Sequence, residues 1–232
     1  MNIKYKIKNL RDKLQQGIYV VINPFVRFLI KCGVTANTVT TIGMLGNLAA
    51  AAVFIWCAVD ISAGQPTDYA KITLAGALII AFSLFDMLDG QVARMGNSVS
   101  AFGALYDSVL DRYCEVLTLG GIAFYLISSG NLAGAIITFA ALLGSVMVSY
   151  VRARAEGIGI ECKMGFMQRP ERVVLTSIAA IATGITGLCI SSESDFEPNI
   201  ILSTAMLIIA VFANITAFAR LAHCRKQLSG KQ

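Results

Sequence analysis

Residues 86–111 read DMLDGQVARMGNSVSAFGALYDSVLD, and this stretch, together with the apolar runs on either side, decides the fold. The run before it, 72–85, has 14 residues, and the run after it, 116–127, has 12. As helices these runs would cover only about 21 and 18 Å, whereas the hydrocarbon core of a membrane is about 30 Å thick. Two spans therefore have to extend into the quoted stretch, so some of its aspartates lie at or inside the membrane interface. Carboxylates in that position are costly and usually functional.

The composition of the whole chain agrees with a membrane protein. Of its 232 residues, 56% are hydrophobic and 14% are charged, whereas soluble domains carry about 25% charged residues. These values exclude a disordered chain and a small disulfide-rich scaffold. The six cysteines are scattered and form no CxxC pair, which argues against a zinc site.

The charge-free runs of the sequence predict an all-α polytopic membrane protein with six transmembrane helices. The run 116–151 is too long for one helix, and the Ser-Ser-Gly-Asn sequence at 128–131 predicts a turn within it. Residues 1–16 carry basic residues among apolar ones at helical spacing, so an N-terminal amphipathic interfacial helix is predicted before the spans. The six spans are placed at 38–59, 71–93, 102–127, 132–156, 171–191 and 198–220.

The chain is predicted to form a single membrane domain over 1–232. This domain consists of an amphipathic juxtamembrane segment, 1–34, a six-helix bundle, 35–222, and a cytoplasmic tail, 223–232. With the N-terminus in the cytoplasm, 18 of the 19 lysines and arginines lie on the cytoplasmic side and only Lys71 lies outside. By the positive-inside rule, this predicts a multi-pass protein of the cell (inner) membrane, with both termini and the active site facing the cytoplasm.

The quoted stretch holds two pairs of aspartates at helical spacing. Asp86 and Asp89 are three residues apart near the end of the second span, and Asp107 and Asp111 are four apart near the start of the third. A short connection makes the two helices antiparallel neighbours, so four carboxylates converge and repel one another in a low dielectric. Divalent cations relieve this repulsion, and all-oxygen ligands select Mg²⁺, Mn²⁺ or Ca²⁺. Four carboxylates suit two ions, an arrangement used in phosphoryl chemistry.

The residues between the aspartates fit a phosphate-bearing ligand. Gly90, Ala93 and Gly103 are small and leave room between the helices, and Arg94 can pair with a phosphate. Small residues also favour helix packing in membranes, so the glycines alone are weak evidence. The competing structural interpretation pairs the acids with Arg94 and Arg112, but it leaves half of the carboxylates unmatched.

The pattern D-x2-D-G-x2-A-R-x8-G-x3-D-x3-D, from Asp86 to Asp111, resembles the signature of the CDP-alcohol phosphotransferases. The resemblance covers essentially the whole chain and implies a six-helix membrane enzyme, usually a homodimer, with a leading amphipathic helix. It implies a transferase of phospholipid biosynthesis that moves the phosphatidyl group of CDP-diacylglycerol to an alcohol and releases CMP. It also implies two Mg²⁺ ions as cofactor, with Mn²⁺ as a substitute.

The family resemblance assigns roles to particular residues. It implies that Asp86, Asp89 and Asp107 hold the first metal ion. It implies that Asp86, Asp107 and Asp111 hold the second, with Asp111 also the general base for the acceptor hydroxyl. The implied contacts to CDP-diacylglycerol are Asn37, Thr38, Val39, Thr40, Gly90, Ala93, Arg94, Ser100 and Gly103. Ala36 stands where the family usually has proline, and an N-cap role for Asn37 fits equally well.

Arginines near the cytoplasmic ends of the last three spans bear on the acceptor alcohol. On charge alone they fit an acceptor phosphate or carboxylate, and equally well the anchoring of the spans. The strings SYVRARAEG, 149–157, and GFMQRPER, 165–172, resemble those of prokaryotic phosphatidylinositol phosphate synthases, whose acceptor is inositol phosphate. This resemblance implies that the acceptor phosphate is bound by Arg152, Arg172 and Arg220.

Several alternatives stay open on the sequence. Arg154 and Glu156 fit a structural pair at the end of the fourth span, and Arg169 fits a bystander role. Glycerol 3-phosphate is the alternative acceptor, which would make the chain a phosphatidylglycerol phosphate synthase. A divalent-cation transporter is the alternative from another class, but its carboxylates are expected near the midplane and not at one interface. Membrane lipids are expected partners and nucleic acid is not, because the positive charge follows the topology.

Overall fold

The computed structural model describes residues 22–190 and 196–229, and within them all regular structure is α-helical. The amphipathic helix predicted at 1–16 lies outside the described residues. The described helices are α1 (22–31), α2 (Ala36–Ser62), α3 (Tyr69–Ser83), α4 (Phe85–Met95), α5 (Ala101–Ser128), α6 (Leu132–Gly157), α7 (Arg169–Cys189) and α8 (Asn199–Ser229).

Five helical segments among the described residues are long and apolar enough to cross a membrane. They are α2, α3 with α4 as one segment (Tyr69–Met95), α6, α7 and α8. The remaining predicted span, 102–127, is also a helix, α5, but it carries four charged side chains, at 107, 111, 112 and 115. Five spans are therefore supported by length and composition, and α5 as the sixth stays a prediction.

Two helix boundaries differ from those predicted. The second predicted span is interrupted at Leu84, between α3 and α4. The hydroxyl of Ser83 donates to the carbonyl oxygen of Ile80 at 2.9 Å, and such local bonds compete with the helical ladder. At the other end of the chain, α8 continues to Ser229, beyond the predicted end at residue 220, and takes in most of the predicted tail.

The turn predicted inside the run 116–151 is confirmed. α5 ends at Ser128, and Gly130 has a positive φ of 75°, a conformation that glycine adopts without strain. Asn131 then caps α6, because its side-chain oxygen accepts a hydrogen bond of 2.8 Å from Gly134 N. The small polar residues of this segment therefore end one helix and begin the next.

The helices form two compact units. Within the described residues, the smaller unit is made of 22–43 and Leu84–Leu110, and the larger of Met44–Ser83, 111–190 and 196–229. In the smaller unit, α1, the start of α2 and α4 share an apolar core. Its buried members are Val26, Val39, Leu88 and Val92.

The core of the larger unit depends on close contacts between α3 and α7 and between α6 and α8. A Cβ on Gly184 of α7 would lie only 2.6 Å from Thr73 N and 2.7 Å from Tyr69 O of α3. Only glycine allows these backbones to approach so closely, as is common in membrane helix pairs. The largest fully buried side chains of this core are Phe54, Ile72, Ile79, Ile122, Tyr125, Leu126, Leu202, Met206 and Ile209.

Polar contacts mark one end of the larger unit. Ser62 at the end of α2 bonds to Ser128 at the end of α5 (3.3 Å), and Tyr125 OH donates to Asn199 Oδ1 at the start of α8 (2.6 Å). Lys71 lies near this end, where it pairs with Asp60 and covers the ring of Trp56. The one basic residue predicted to lie outside is therefore held by a carboxylate and an aromatic ring.

Candidate active site

The smaller unit brings together three of the four aspartates that the sequence singles out. Asp86 and Asp89 lie on α4, and Asp107 lies on α5. Asp86 and Asp107 are half-buried, and both interact electrostatically with the buried Asp89. The three side chains therefore form a local concentration of negative charge.

Thr40 on α2 contacts the most buried of these carboxylates. Its hydroxyl oxygen lies 2.7 Å from Asp89 Oδ2 and 3.0 Å from the carbonyl oxygen of Ala36. Asp89 is only 7% exposed, so this hydroxyl supplies a hydrogen bond that water supplies to an exposed carboxylate. Thr40, predicted as a contact to CDP-diacylglycerol, thus also orients a predicted metal ligand.

An open cavity of the smaller unit lies beside Asp89, and we call it the Asp89 cavity. Its empty volume is about 840 Å³, and Asp107 lies on its wall together with Asp89. Two predicted ligand contacts lie elsewhere: Val39 belongs to the apolar core, and Thr38 bonds to Thr35. The other seven line the cavity, namely Asn37, Thr40, Gly90, Ala93, Arg94, Ser100 and Gly103.

The helix caps at the opening of this cavity show which residue begins α2, for which Asn37 was one candidate. Thr38 N donates to Thr35 Oγ1 at 3.3 Å, so the N-cap of α2 is Thr35 and not Asn37. Gly103 N donates to Ser100 Oγ at 2.9 Å, which makes Ser100 the N-cap of α5. A Cβ on Gly103 would lie 3.0 Å from Ser100 Oγ and 3.4 Å from Asn37 Oδ1, so the glycine keeps this wall open.

Arg94 extends along the wall that the small residues form. Its Nε donates to Gln91 Oε1 at 3.1 Å, and a Cβ on Gly90 would lie 3.5 Å from its Nη2. The guanidinium therefore lies over the Cα of Gly90, while the arginine as a whole is exposed. In this position it can pair with a phosphate group in the Asp89 cavity.

A second cavity lies in the larger unit, where α6 ends and α7 begins, and we call it the arginine cavity. Its empty volume is about 510 Å³, and Asp111 lies on its wall. Its arginines include the three predicted to bind the acceptor phosphate and two others. They are Arg112, Arg152, Arg169, Arg172 and Arg220.

Two of these arginines contact Asp111. Arg169 Nη1 lies 2.8 Å from Asp111 Oδ1, and Arg112 Nη1 lies 3.6 Å from Asp111 Oδ2. Arg169, which was expected to be a bystander, thus contacts the predicted general base. Arg169 is the first residue of α7, and its side chain reaches the part of α5 that belongs to the larger unit.

The ion pair at the end of α6 also differs from the expected one. Arg152 Nε lies 2.9 Å from Glu156 Oε1, so Glu156 pairs with Arg152 and not with Arg154. Side chains four residues apart on a helix are neighbours, whereas those two residues apart point in different directions. Arg152 keeps an exposed side chain (42%), so it can still turn toward a ligand.

Arg220 is almost completely buried and connects three elements. Its Nε donates to the carbonyl oxygen of Met164 at 2.7 Å, and its Nη1 donates to that of Val148 at 2.6 Å. This side chain of α8 therefore holds α6 and the α6–α7 loop together at the arginine cavity. Only 3% of the residue is exposed.

Glu115, to which the sequence analysis gave no role, is the partner of Arg172. Glu115 Oε1 accepts a hydrogen bond of 2.7 Å from Arg172 Nε. Glu115 follows Asp111 by one helical turn on α5, so both carboxylates face the start of α7. The spacing of Asp111 and Glu115 could have pointed to Glu115, but it could not identify Arg172, which lies 57 residues further along the chain.

The arginine cavity carries more positive than negative charge. Four of its five arginines pair with three carboxylates, those of Asp111, Glu115 and Glu156, and the fifth, Arg220, donates to backbone carbonyls. Two guanidinium charges are therefore left in excess. A phosphate monoester, with a charge of about −1.5 to −2 at neutral pH, matches this excess.

The carboxylates of the smaller unit fit a divalent cation by their chemistry. They are all-oxygen donors of like charge, as Mg²⁺ and Mn²⁺ require. Among the residues that the structure describes, no three histidine, cysteine, aspartate or glutamate side chains already form a closed ligand set. The donor chemistry, and not a preformed geometry, is what fits a metal ion.

A comparison with protein families matches the chain to one model. The model for CDP-alcohol phosphatidyltransferase matches residues 33–216. A similar curated protein is the phosphatidylinositol phosphate synthase of Streptomyces avermitilis. It is 33% identical over 225 residues, covering 95% of this chain and 84% of that protein.

Solved structures of one similar protein are those of the phosphatidylinositol phosphate synthase of Mycobacterium tuberculosis. The structure with CDP-DAG bound has a TM-score of 0.69 and 29% identity, and covers 87% of this chain and 92% of that one. The structure with manganese and citrate has a TM-score of 0.71 and 28% identity, and covers 87% of each chain. The similarity therefore extends over most of the chain.

Proposed function

The chain belongs to the CDP-alcohol phosphatidyltransferase family, and from this we propose that it transfers the phosphatidyl group of CDP-diacylglycerol to inositol phosphate. The products are phosphatidylinositol phosphate and CMP. The observation that carries the choice of acceptor is the arginine cavity, whose excess charge suits a phosphate on the incoming alcohol. The names of the similar proteins support the same acceptor.

The Asp89 cavity is the proposed site of the CDP moiety. Gly90, Ala93 and Gly103 leave room for the ligand, and Arg94 pairs with its pyrophosphate. Ser100 and Asn37 add polar contacts at the opening. The solved relative with CDP-DAG bound is consistent with this role.

Asp86, Asp89, Asp107 and Asp111 are the residues proposed to hold two Mg²⁺ ions, with Mn²⁺ as a substitute. When bound, these ions would offset the charge of the pyrophosphate. The solved relative with manganese supports a divalent cation. Thr40 contributes by fixing the orientation of the Asp89 carboxylate.

The chain's own residues account for the proposed transfer. Asp111 takes the proton of the acceptor hydroxyl, whose oxygen then forms a bond to the lipid-side phosphorus of CDP-diacylglycerol. The bond from that phosphorus to the bridging oxygen breaks, and the electron pair leaves with CMP. Arg94 stabilises the charge on the leaving phosphate, and Arg152, Arg172 and Arg220 orient the acceptor through its own phosphate.

The arrangement in the membrane follows from the same residues. We propose six spans, with α5 as the sixth, in a single domain preceded by the amphipathic segment. The arginine cavity then faces the cytoplasm of the cell (inner) membrane, where the water-soluble acceptor is available, while the acyl chains stay in lipid. A homodimer is proposed from the family resemblance alone.

The direct test is release of CMP by the purified full-length protein. Inositol phosphate, glycerol 3-phosphate, free inositol and serine are offered separately with CDP-diacylglycerol and Mg²⁺. We expect release with inositol phosphate, loss of release with EDTA, and recovery with added Mg²⁺ or Mn²⁺. Release with glycerol 3-phosphate alone would instead identify a phosphatidylglycerol phosphate synthase, and no release with any alcohol would contradict the transferase mechanism.

A further inference from the structure

Two ion pairs link α5 to the start of α7 in the larger unit. The first joins Asp111 to Arg169, with 2.8 Å between Oδ1 and Nη1. The second joins Glu115 to Arg172, with 2.7 Å between Oε1 and Nη2. The acids are four residues apart on α5 and the arginines three apart on α7, so the pairs are stacked one helical turn from each other.

The second pair fixes the Arg172 guanidinium. Its Nε donates to Glu115 Oε1 at 2.7 Å, and its Nη1 donates to the carbonyl oxygen of Met167 at 3.1 Å. Arg172 is 3% exposed and Glu115 8%, so neither charge is screened by bulk water. The guanidinium therefore has one orientation, in which it lines the arginine cavity.

Glu115 makes its hydrogen bond and its ion pair with this arginine. Its second oxygen, Oε2, is buried and has no hydrogen-bond partner among the described residues. The carboxylate thus makes its direct contacts through Oε1, to Arg172. Its effect on the cavity should therefore pass mainly through Arg172, beside a longer-range electrostatic interaction with Arg112.

We propose that Glu115 is a positioning residue for the acceptor, because it holds Arg172 in the wall of the arginine cavity and away from Asp111. This inference rests on the proposed function, in which Arg172 binds the acceptor phosphate. Without Glu115, the buried guanidinium has one remaining carboxylate in the cavity to turn to, that of Asp111. Arg172 would then bind the acceptor less well and compete for the predicted general base.

The test compares Glu115→Gln, Arg172→Lys and the double variant in the full-length protein, with CMP release as the readout. Gln keeps the size of the side chain but removes its charge, so we expect the acceptor KM to rise about tenfold or more. The KM for CDP-diacylglycerol should stay within about twofold, since the Asp89 cavity belongs to the other unit. The double variant should raise the acceptor KM by less than the product of the two single effects, because Glu115 acts on the acceptor through residue 172.

The control is Glu161→Gln, which makes the same change in an exposed pair with Lys163. It should leave both KM values unchanged. If Glu115→Gln does not fold, Glu115→Asp retains the charge with a shorter reach and should show a smaller rise in the acceptor KM alone.

Two outcomes would overturn the proposal, and they differ from failure of the proposed function. An unchanged acceptor KM in Glu115→Gln would remove the positioning role, as would equal rises in both KM values, which indicate a purely structural pair. In both cases the wild-type protein is active with inositol phosphate. If the wild type itself releases no CMP with inositol phosphate, the proposed function fails, and the positioning role fails with it.

Discussion

Asp111 and Arg169 are joined by a short ion pair, with 2.8 Å between Oδ1 and Nη1. Arg112 approaches the other carboxylate oxygen at 3.6 Å, so both oxygens of Asp111 face guanidinium groups. A carboxylate proposed to bind a cation and to accept a proton is thus held by arginine in this structure. A metal ion at Asp111 has to share the carboxylate with Arg169 or displace it.

Replacing Arg169 by glutamine should lower the Mg²⁺ concentration that the enzyme requires. The substitution removes a positive charge that competes for Asp111, so the Mg²⁺ concentration for half-maximal CMP release should fall by about two- to tenfold. The maximal rate should fall as well, because Asp111 loses the group that orients it. A Mg²⁺ titration of both proteins measures the two effects. Lys163→Gln removes a charge from an exposed loop pair and serves as the control, with no change expected.

Replacing Asp111 by asparagine should nearly abolish turnover. The amide cannot accept the hydroxyl proton, and general-base catalysis contributes about 10²- to 10⁴-fold. Binding of CDP-diacylglycerol should largely remain, because the Asp89 cavity contains neither Asp111 nor its arginine partners. Single-turnover assays and binding of CDP-diacylglycerol by the variant separate these effects. Wild-type rates would remove the general-base assignment.

Replacing Thr40 by valine should weaken catalysis without unfolding the protein. The change keeps the shape of the side chain and deletes the hydroxyl that lies 2.7 Å from Asp89 Oδ2. A hydrogen bond to a buried carboxylate is strong, so we expect kcat/KM for CDP-diacylglycerol to fall about tenfold. Thr138→Val is the matched control, because the Thr138 hydroxyl is buried but bonds only within its own helix, to Gly134 O at 2.8 Å. Equal losses in both variants would argue against a specific role for Thr40.

Most of the fold follows from the sequence because long apolar runs without charges identify the membrane spans. The apolar runs predicted helices α2 to α8, with α3 and α4 as one span, and the Ser-Ser-Gly-Asn turn before α6 was also predicted. The break at Leu84 was not predicted, since the apolar run 72–85 continues through it and Ser83 looks like any small residue. The extension of α8 was missed because its last turns carry charges that hydropathy assigns to a tail.

In the candidate site, groupings within one helix could be predicted from the sequence, whereas pairs between distant segments could not. Spacing on one helix was enough to group Asp86 with Asp89, because local geometry depends on local sequence. Pairs between distant segments were not readable, and Glu115 with Arg172 is the clearest example. The error over Glu156 has a local cause: Arg154 is nearer in sequence, but Arg152 lies on the same helix face.

The Cys162 thiol should react with alkylating agents only slowly at neutral pH. Burial raises the pKa of Cys162 above its ordinary value, and the thiolate is the reactive form. The labelled fraction should therefore be small at neutral pH and should grow as the pH is raised. Mass-spectrometric mapping after maleimide treatment measures it, with the exposed Cys32 as the internal reference. Rapid labelling of Cys162 at neutral pH would mean that the α6–α7 loop does not pack on α8 as described.

Arg220 and Arg152 should respond differently to the same substitution by lysine. Arg220 bridges the carbonyl oxygens of Met164 and Val148, at 2.7 and 2.6 Å, and a lysine cannot make both contacts in that fork geometry. Arg220→Lys should therefore raise the acceptor KM about tenfold and also lower the melting temperature in detergent by several degrees. Arg152 is 42% exposed and pairs with the exposed Glu156, so Arg152→Lys should leave the melting temperature unchanged and raise the acceptor KM by less than about threefold.

Kinetics with inositol phosphate and thermal unfolding of the same preparations measure both quantities. A drop in melting temperature without any change in the acceptor KM would make Arg220 a structural link between α8 and the α6–α7 loop and remove it from the acceptor site. A large rise in the acceptor KM for Arg152→Lys would instead show that this arginine leaves Glu156 to bind the phosphate. The two arginines can thus be told apart because one is held by backbone carbonyls and the other by a surface carboxylate.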